Sequence, residues 1–219
     1  MATVDELLKP LLDSPQLPTL VDRLAQQLAS ERMKRQRFYE EMTPDQKIEF
    51  IDGSAILHSP ARNRHLDVTM LTAKLLHTFV GIHRLGTVKS ENCLCVFPRN
   101  DYEPDVVFFG PEKAARLTPE TMKFPTPDLA VEVLSASTVH RDRGVKFEDF
   151  AINGVGEYWI IDTMAQTVEQ YVLVDAQYEL RVKSSSGRIR SVVISGLEFE
   201  IESMFDEQRN LDALRTIMA

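Results

Sequence analysis

The sequence predicts an α/β protein with a mixed central β-sheet, flanking helices and an N-terminal helical extension. Two apolar runs, EPDVVFF and LAVEVL, are continuous rather than alternating, which is typical of strands covered on both faces. Other segments carry apolar residues at helical spacing. Strands followed by a crossover helix and more strands indicate a sheet of mixed direction with helices packed on its faces.

Residues 1–37 are predicted to form the helical extension, and residues 38–219 the main domain. Leu20, Leu24 and Leu28 repeat at helical spacing, and the helix is expected to continue through ERMKRQRFYE with its basic residues in solvent. This apolar stripe needs a partner, either this chain's own sheet or the same helix of a second copy. The pattern favours a homodimer.

The first part of the main domain is predicted to contain a hairpin and a helix. KIEFIDGSAILHSP indicates two short strands around the Asp52-Gly53 turn. The helix that follows ends at Gly81 or Gly86, and its apolar face is formed by Val68, Leu71, Leu75 and Phe79.

The second part is predicted to be richer in strands. VKSENCLCVF and EPDVVFF indicate two strands, and LAVEVL a third after a proline-rich loop. A helix begins after Ser135 and ends near Gly154. The remaining segments, VEQYVLVD, YELRVK and IRSVVISGLEFEIESMF, are strand-rich and extend the sheet.

Composition limits the classes of function. The net charge of −8 argues against a protein coated in basic residues for sequence-independent nucleic-acid binding, although acids gathered around a cation do not exclude a nuclease. No apolar run predicts a membrane helix, and the acidic N-terminus is unlike a signal peptide, so a cytoplasmic protein is expected. Cys93 and Cys95 are predicted to be buried free thiols, with redox or metal chemistry as the alternative.

Two acids inside apolar strands are the candidate site. Asp105 and Glu132 would each be costly to bury without a partner, and hard oxygen ligands suit Mg²⁺ or Mn²⁺. Lys146, early in the next helix, could direct its ammonium to the same point. The alternative is that Glu132 pairs with a core arginine and that Lys146 lies on the surface. The spacing alone does not decide between the two.

A second aspartate also follows a proline. Asp128 stands in TPDLAVEVL, four residues before Glu132 on one predicted strand. At roughly 3.3 Å per residue the two carboxylates would lie about 13 Å apart, too far to share one metal ion. Asp128 is therefore expected to be a strand-edge or loop residue.

The ordered set IEFIDG, YEPDVVFF, PDLAVEVLSAST, RDRGVKF and GVGEYWIID resembles the restriction-endonuclease-like Uma-two family, a branch of the PD-(D/E)XK nuclease superfamily. The resemblance covers roughly residues 38–205 and implies a restriction-endonuclease-like fold. It differs from the usual family pattern at Ser54, where an acid is typical, and at Ala136, where proline is typical.

The resemblance implies roles for particular residues. Asp105 and Glu132 would be metal ligands, and Lys146 would be the catalytic lysine, displaced to the helix because Leu134 occupies its usual strand position. Glu49 and His65 match two further polar positions near such a site. Glu49 could instead be a structural acid paired with a base, and His65 could merely cap or pack against its helix.

These observations predict a Mg²⁺- or Mn²⁺-dependent endonuclease that hydrolyses DNA phosphodiester bonds, with the backbone carbonyl of Val133 as a further metal ligand. Arg141, Arg143 or His65 would take the cationic role if Lys146 does not. The alternatives are a non-catalytic oligomeric interaction module that retains the nuclease fold, and a hydrolase of small phosphoesters.

Overall fold

The computed structural model describes residues 4–219 and has the predicted mixed α/β architecture. The helices are α1 (Val4–Leu12), α2 (Leu17–Glu41), α3 (Asn63–His83), α4 (Pro111–Ala114), α5 (Val139–Asp142), α6 (Val145–Ile152) and α7 (Glu207–Met218), with a 3-10 turn at Ile201–Met204. The strands are β1 (Ile48–Ile51), β2 (Ser54–Leu57), β3 (Thr87–Ser90), β4 (Leu94–Val96), β5 (Asp101–Tyr102), β6 (Val106–Phe109), β7 (Lys123–Phe124), β8 (Leu129–Val133), β9 (Glu157–Asp162), β10 (Thr167–Val174), β11 (Gln177–Ser184), β12 (Arg188–Arg190) and β13 (Glu198–Glu200). In this described part of the chain, no helix has both the length and the apolarity to cross a bilayer.

The strands form a main sheet of mixed direction, as predicted for the centre of the fold, and two further sheets. The main sheet has the order β11-β10-β9-β8-β6-β3, and a second has the order β2-β1-β5-β4-β7. The pair β8 and β9 is parallel, as a crossover through α5 and α6 requires, and β6 pairs with β8 antiparallel. Direction is therefore mixed, as predicted.

The alternation of side chains places the candidate acids on one face of the main sheet. On β8, Val131 and Val133 enter the core cluster that also contains the α3 residues Leu75 and Leu76, whereas Ala130 enters the cluster around Phe150 of α6. Glu132 follows the same alternation as Ala130 and therefore projects toward α6.

The segment VKSENCLCVF was wrongly predicted to be one strand. It divides into β3 and β4, which belong to different sheets. The chain turns between them at Glu91 and Asn92, whose φ angles of 59° and 47° are left-handed. Cys93 and Cys95 are buried and unpaired, as predicted.

The helix predicted after Ser135 is broken into α5 and α6. The break is at Gly144, where a Cβ atom would lie only 2.6 Å from the carbonyl oxygen of His140. A larger residue would push the two segments apart. The helix of residues 63–83 ends near its predicted glycines, but Arg84 takes the left-handed cap conformation, with φ of 55°.

Helix α7 was missed because the strand-rich interpretation was carried to Phe205 and stopped. A signal was present, since Asp206 caps the helix by accepting a hydrogen bond from the backbone N–H of Arg209 at 2.8 Å. The helix packs against α3, and its buried Asn210 donates to the carbonyl of Leu71 at 2.9 Å.

Helix α2 continues across residues 37 and 38, where the sequence predicted a domain boundary. The division into two domains stays a prediction. The last third of α2 packs on the main domain through buried Phe38 and through Arg35, which forms an ion pair with Asp101. Not all of the basic run faces solvent, contrary to expectation. The earlier part of α2 and all of α1 bury almost no side chains, and Leu24 and Leu28 are 54% and 45% exposed.

Candidate active site

Asp105 and Glu132 lie opposite each other on neighbouring strands. Val106 pairs with Val131 in the antiparallel ladder of β6 and β8, and one residue further along this register Asp105 faces Glu132. Side chains in such a pair lie on the same face, with Cβ atoms about 5 Å apart. The Asp105 Oδ2 atom also accepts a hydrogen bond from the Val133 N–H at 2.8 Å.

Lys146 is buried beside these acids rather than on the surface. Its Nζ atom is 2.7 Å from Glu132 Oε1, 2.7 Å from Glu49 Oε1 and 3.5 Å from Asp142 Oδ1. The alternative in which Glu132 pairs with an arginine is wrong. Burial alone would lower the pKa of Lys146, but Glu132 and Glu49 raise it well above the ordinary value, so the ammonium stays charged.

Glu49 lies behind Lys146, outside the cavity wall. Its carboxylate accepts the Lys146 contact on one oxygen, and its other oxygen is 2.9 Å from His58 Nε2. Burial opposes ionisation, yet Lys146 and His58 outweigh it and lower the pKa of Glu49 to about 2. Glu49 is thus an ionised structural partner that orients Lys146.

Asp105 is held by two bases. Its Oδ1 atom is 2.6 Å from Lys47 Nζ and 3.2 Å from His65 Nε2. Burial would raise the pKa of Asp105, but Lys47 and His65 keep it well below the ordinary range. His65 therefore contacts the site and does not serve only as a helix cap.

Glu132 has the opposite electrostatic situation. Burial raises its pKa well above the ordinary value despite the contact with Lys146, and the nearby Asp142 and Asp105 add to the effect. The Asp142 pKa is also raised, first by burial, although Lys146 and the Thr138 hydroxyl oppose the rise. The site holds more carboxylate charge than its own cations offset.

A count of charges makes this excess explicit. Four carboxylates in the cluster are at most 4% exposed, namely Glu49, Asp105, Glu132 and Asp142. Among residues 4–219, two lysines, Lys47 and Lys146, are the groups of permanent positive charge that contact them. With all four carboxylates ionised and the histidines neutral, two negative charges remain, which is the charge that a divalent cation would offset.

The chemistry of the donors also fits Mg²⁺ or Mn²⁺. Across residues 4–219, no three side chains of His, Cys, Asp and Glu converge on one metal position. The available oxygens are those of Asp105, Glu132 and the Val133 carbonyl, which faces the same side of its strand as the N–H that contacts Asp105. Mg²⁺ commonly uses one or two carboxylates and completes its shell with water.

A cavity of about 590 Å³ opens over this cluster. Asp105, Glu132, Lys146 and His65 border it, together with the Ser135–Thr138 turn at the end of β8. The wall also includes exposed Arg62 and Arg64 at the start of α3, two cations at the entrance. The arrangement can accept an anionic substrate above a buried acid pair.

Arg141 and Arg143 do not border this cavity. Arg143 instead forms two hydrogen bonds with Glu169, at 2.7 Å and 3.0 Å. Asp128 is also separate, because it accepts from Lys113 at 2.6 Å and from the backbone N–H of Gly110 at 2.6 Å. Asp128 directly precedes β8, as expected for a residue at a strand edge.

Lys47, His58 and Asp142 were not identified from the sequence. For two of them a signal was present. Lys47 stands two residues before Glu49 and so shares its face of the strand, and Asp142 stands four residues before Lys146. His58 comes near Glu49 only through the β1–β2 hairpin, because its N–H donates to the Lys47 carbonyl at 3.0 Å.

Comparison with known proteins gives a family and a related fold. Residues 35–202 match the model of the Uma2 family, described as "putative restriction endonuclease". A crystal structure of a "putative nuclease belonging to DUF820" from Anabaena variabilis is similar, with a TM-score of 0.66 and 19% sequence identity. The match covers 81% of this chain and 96% of that one. None of the curated proteins matches this chain.

Proposed function

Since the chain belongs to the Uma2 family of restriction-endonuclease-like proteins, we propose that it is a metal-dependent DNA endonuclease, a hydrolase of phosphodiester bonds. The observation that carries the proposal is the pair of carboxylates at Asp105 and Glu132, which face each other below a cavity and retain excess negative charge. A purely structural acid pair would have no need of an opening to solvent.

Asp105, Glu132 and the Val133 carbonyl would hold Mg²⁺ or Mn²⁺. When bound, such an ion lowers the pKa of a water molecule and offsets charge on a phosphodiester. The residues of the chain contribute the rest by fixed geometry. His65 Nε2 lies 3.2 Å from Asp105 Oδ1 and helps to set the direction of that carboxylate.

Lys146 acts on the charge that develops on the phosphate oxygens. It borders the cavity, and its ammonium is held in place by Glu49 from behind and by Glu132 from the side. A charge that is already oriented costs no reorganisation during the reaction, which is the main advantage of such a group. Glu49 is a positioning residue in this scheme.

Arg62 and Arg64 would contact the DNA backbone. Both are exposed on the cavity rim, so phosphate groups can reach them without opening the fold. Phosphate contacts of this kind position a nucleic acid without reading its sequence. Because the net charge of the chain is −8, DNA would be attracted by this local group of arginines and not by the surface as a whole.

The test is cleavage of single- and double-stranded DNA in Mg²⁺ or Mn²⁺ by the wild type, Asp105→Asn and Glu132→Gln. Cleavage by the wild type alone supports the proposal. Cleavage of a small phosphodiester but of no DNA would replace it with a small-phosphoester hydrolase. The non-catalytic interaction module would be favoured if the wild type cleaves nothing and if its Mn²⁺ binding is the same as that of Asp105→Asn.

We also propose that the protein is a homodimer, joined through α1 and the first part of α2. The supporting observation is the exposed apolar surface of these helices, including Leu7, Leu12, Leu24 and Leu28. A second copy offers the same surface and covers it by a two-fold interface. A reducing, cytoplasmic location is proposed from the two free thiols and the DNA substrate.

The dimer is tested by changing Leu24 and Leu28 together to glutamate, which leaves the contacts of Arg35 with the main domain in place. Light scattering should show a monomer. The matched control is Leu180→Glu on β11, because Leu180 is 50% exposed and outside these helices. A dimer that survives the double substitution would exclude this surface as its main contact.

A further inference from the structure

Lys47 pairs with one of the two proposed metal ligands from the cavity side. It directly precedes β1, and its Nζ atom is 2.6 Å from Asp105 Oδ1. The side chain is 22% exposed, whereas that of Lys146 is 2% exposed. Both lysines border the cavity, and Lys47 is the more exposed of the two.

The surroundings of Lys47 are those of a bound cation. Burial alone would lower its pKa, but attraction first to Asp105 and then to Glu132 raises the pKa to about 12. The ammonium is therefore drawn to the same two carboxylates that would hold a metal ion. One positive charge near Asp105 is stabilised there, and a second would be repelled at this distance.

We propose that Lys47 is a displaceable counter-ion, whose ammonium occupies the cation position of Asp105 in the metal-free protein and competes with the metal ion for it. The inference rests on the proposed function, because it takes Asp105 and Glu132 as metal ligands. It assigns to Lys47 a role that neither the family match nor the motif positions give it.

The local structure allows the exchange. The backbone of Lys47 is fixed, because its carbonyl accepts from the N–H of His58 at 3.0 Å. Only the four-carbon stem has to move, and lysine stems are flexible. Asp105 keeps its other contacts, from His65 and the Val133 N–H, so the carboxylate stays in place when the ammonium leaves. The released ammonium remains beside the cavity, where the substrate would bring phosphate charge.

Removal of the competitor should tighten metal binding. In calorimetric titration with Mn²⁺, Lys47→Met should bind at least about tenfold more tightly than the wild type, which is about 1.4 kcal/mol. Lys113→Met is the matched control, because the Lys113–Asp128 pair also measures 2.6 Å and lies outside the site. It should leave Mn²⁺ affinity unchanged.

A second variant separates displacement from simple charge. Lys47→Arg keeps the positive charge but offers Asp105 a two-pronged contact that is harder to break. Displacement predicts weaker Mn²⁺ binding than in the wild type, whereas a general effect of charge predicts no change. This variant also tests the inference without leaving Asp105 unpaired.

Equal Mn²⁺ affinity in the wild type, Lys47→Met and Lys47→Arg would overturn the role of Lys47, as would weaker binding by Lys47→Met. Both results leave the proposed function standing, provided that Asp105→Asn abolishes binding. If Asp105→Asn binds Mn²⁺ as the wild type does, the proposed metal site fails first, and the inference fails with it.

Discussion

Two buried acids of the main sheet, Glu157 on β9 and Glu132 on β8, differ in what surrounds them. Glu157 is 0% exposed, and in the described part of the chain its hydrogen bonds, of 2.6–3.2 Å, come from neutral donors. These donors are Trp159 Nε1, Gln170 Nε2, Ser191 Oγ and the backbone N–H groups of Val192 and Val193. Glu132 is 4% exposed, contacts an ammonium and shares it with other acids.

Under the proposed function, the difference separates a structural acid from an acid that binds a metal ion. Glu157 ties the segment before β13 to the main sheet, and every donor around it is satisfied by its two oxygens. Glu132 lies at the wall of a cavity, in a cluster whose charge is not balanced within the protein. Burial alone therefore does not mark a site, whereas burial with unbalanced charge and an opening does.

The largest expected effect concerns Lys146. Replacement by methionine keeps the apolar stem but removes the charge, and turnover of DNA should fall by roughly 10²-fold or more, as for other preorganised electrostatic groups. Lys146→Ala should be equally inactive, because charge rather than packing is required. Cleavage rates in Mn²⁺ measure the effect, with Lys113→Met as the control. Full activity in either Lys146 variant would contradict the assignment.

Glu157 should affect stability and not chemistry. Glu157→Ala removes the common acceptor of several buried donors, so the free energy of unfolding should fall by about 3 kcal/mol or more. Urea denaturation measures the loss. Glu157→Gln, which keeps one acceptor oxygen, should lose less. If Glu157→Ala were as stable as the wild type, Glu157 would not be a structural acid.

A smaller effect, on pH dependence, is expected from Glu103. Burial raises its pKa to about 7, with Lys47 opposing and Glu49 adding to the rise. The folded protein then holds a proton that the unfolded chain has released above its ordinary pKa, so this group's contribution to stability is lost as pH rises from about 4.5 to about 7. Thermal melts across that range should show a shallower decline in Glu103→Gln. If the melting temperatures of both proteins fell equally with pH, Glu103 would not be the source of the pH dependence.

The sequence was informative where local pattern determines structure. Continuous apolar runs identified β6 and β8 as strands. Local pattern did not predict that β3 and β4 belong to different sheets. This division depends on a turn at Glu91 and Asn92, neither of which is glycine, and on pairing with distant strands.

The candidate site was predictable in part for the same reason. Asp105 and Glu132 were conspicuous because each is an acid in an apolar strand, and Lys146 followed from the family resemblance. The contact of Lys47 with Asp105 joins residues 58 apart in the sequence, so the position of Lys47 beside Glu49 did not reveal it. His58 reaches Glu49 through the pairing of the β1–β2 hairpin. The excess of charge arises from residues that are distant in the sequence, so it is not visible in any one segment.

Metal-dependent stabilisation tests the central claim most directly. Melting temperatures are measured with and without millimolar Mn²⁺ for the wild type, Asp105→Asn, Glu132→Gln and Glu157→Gln. A cation that binds only the folded protein raises its melting temperature. The wild type and Glu157→Gln should show this rise, and the two site variants should not. An equal response in all four proteins would contradict a metal site at Asp105 and Glu132.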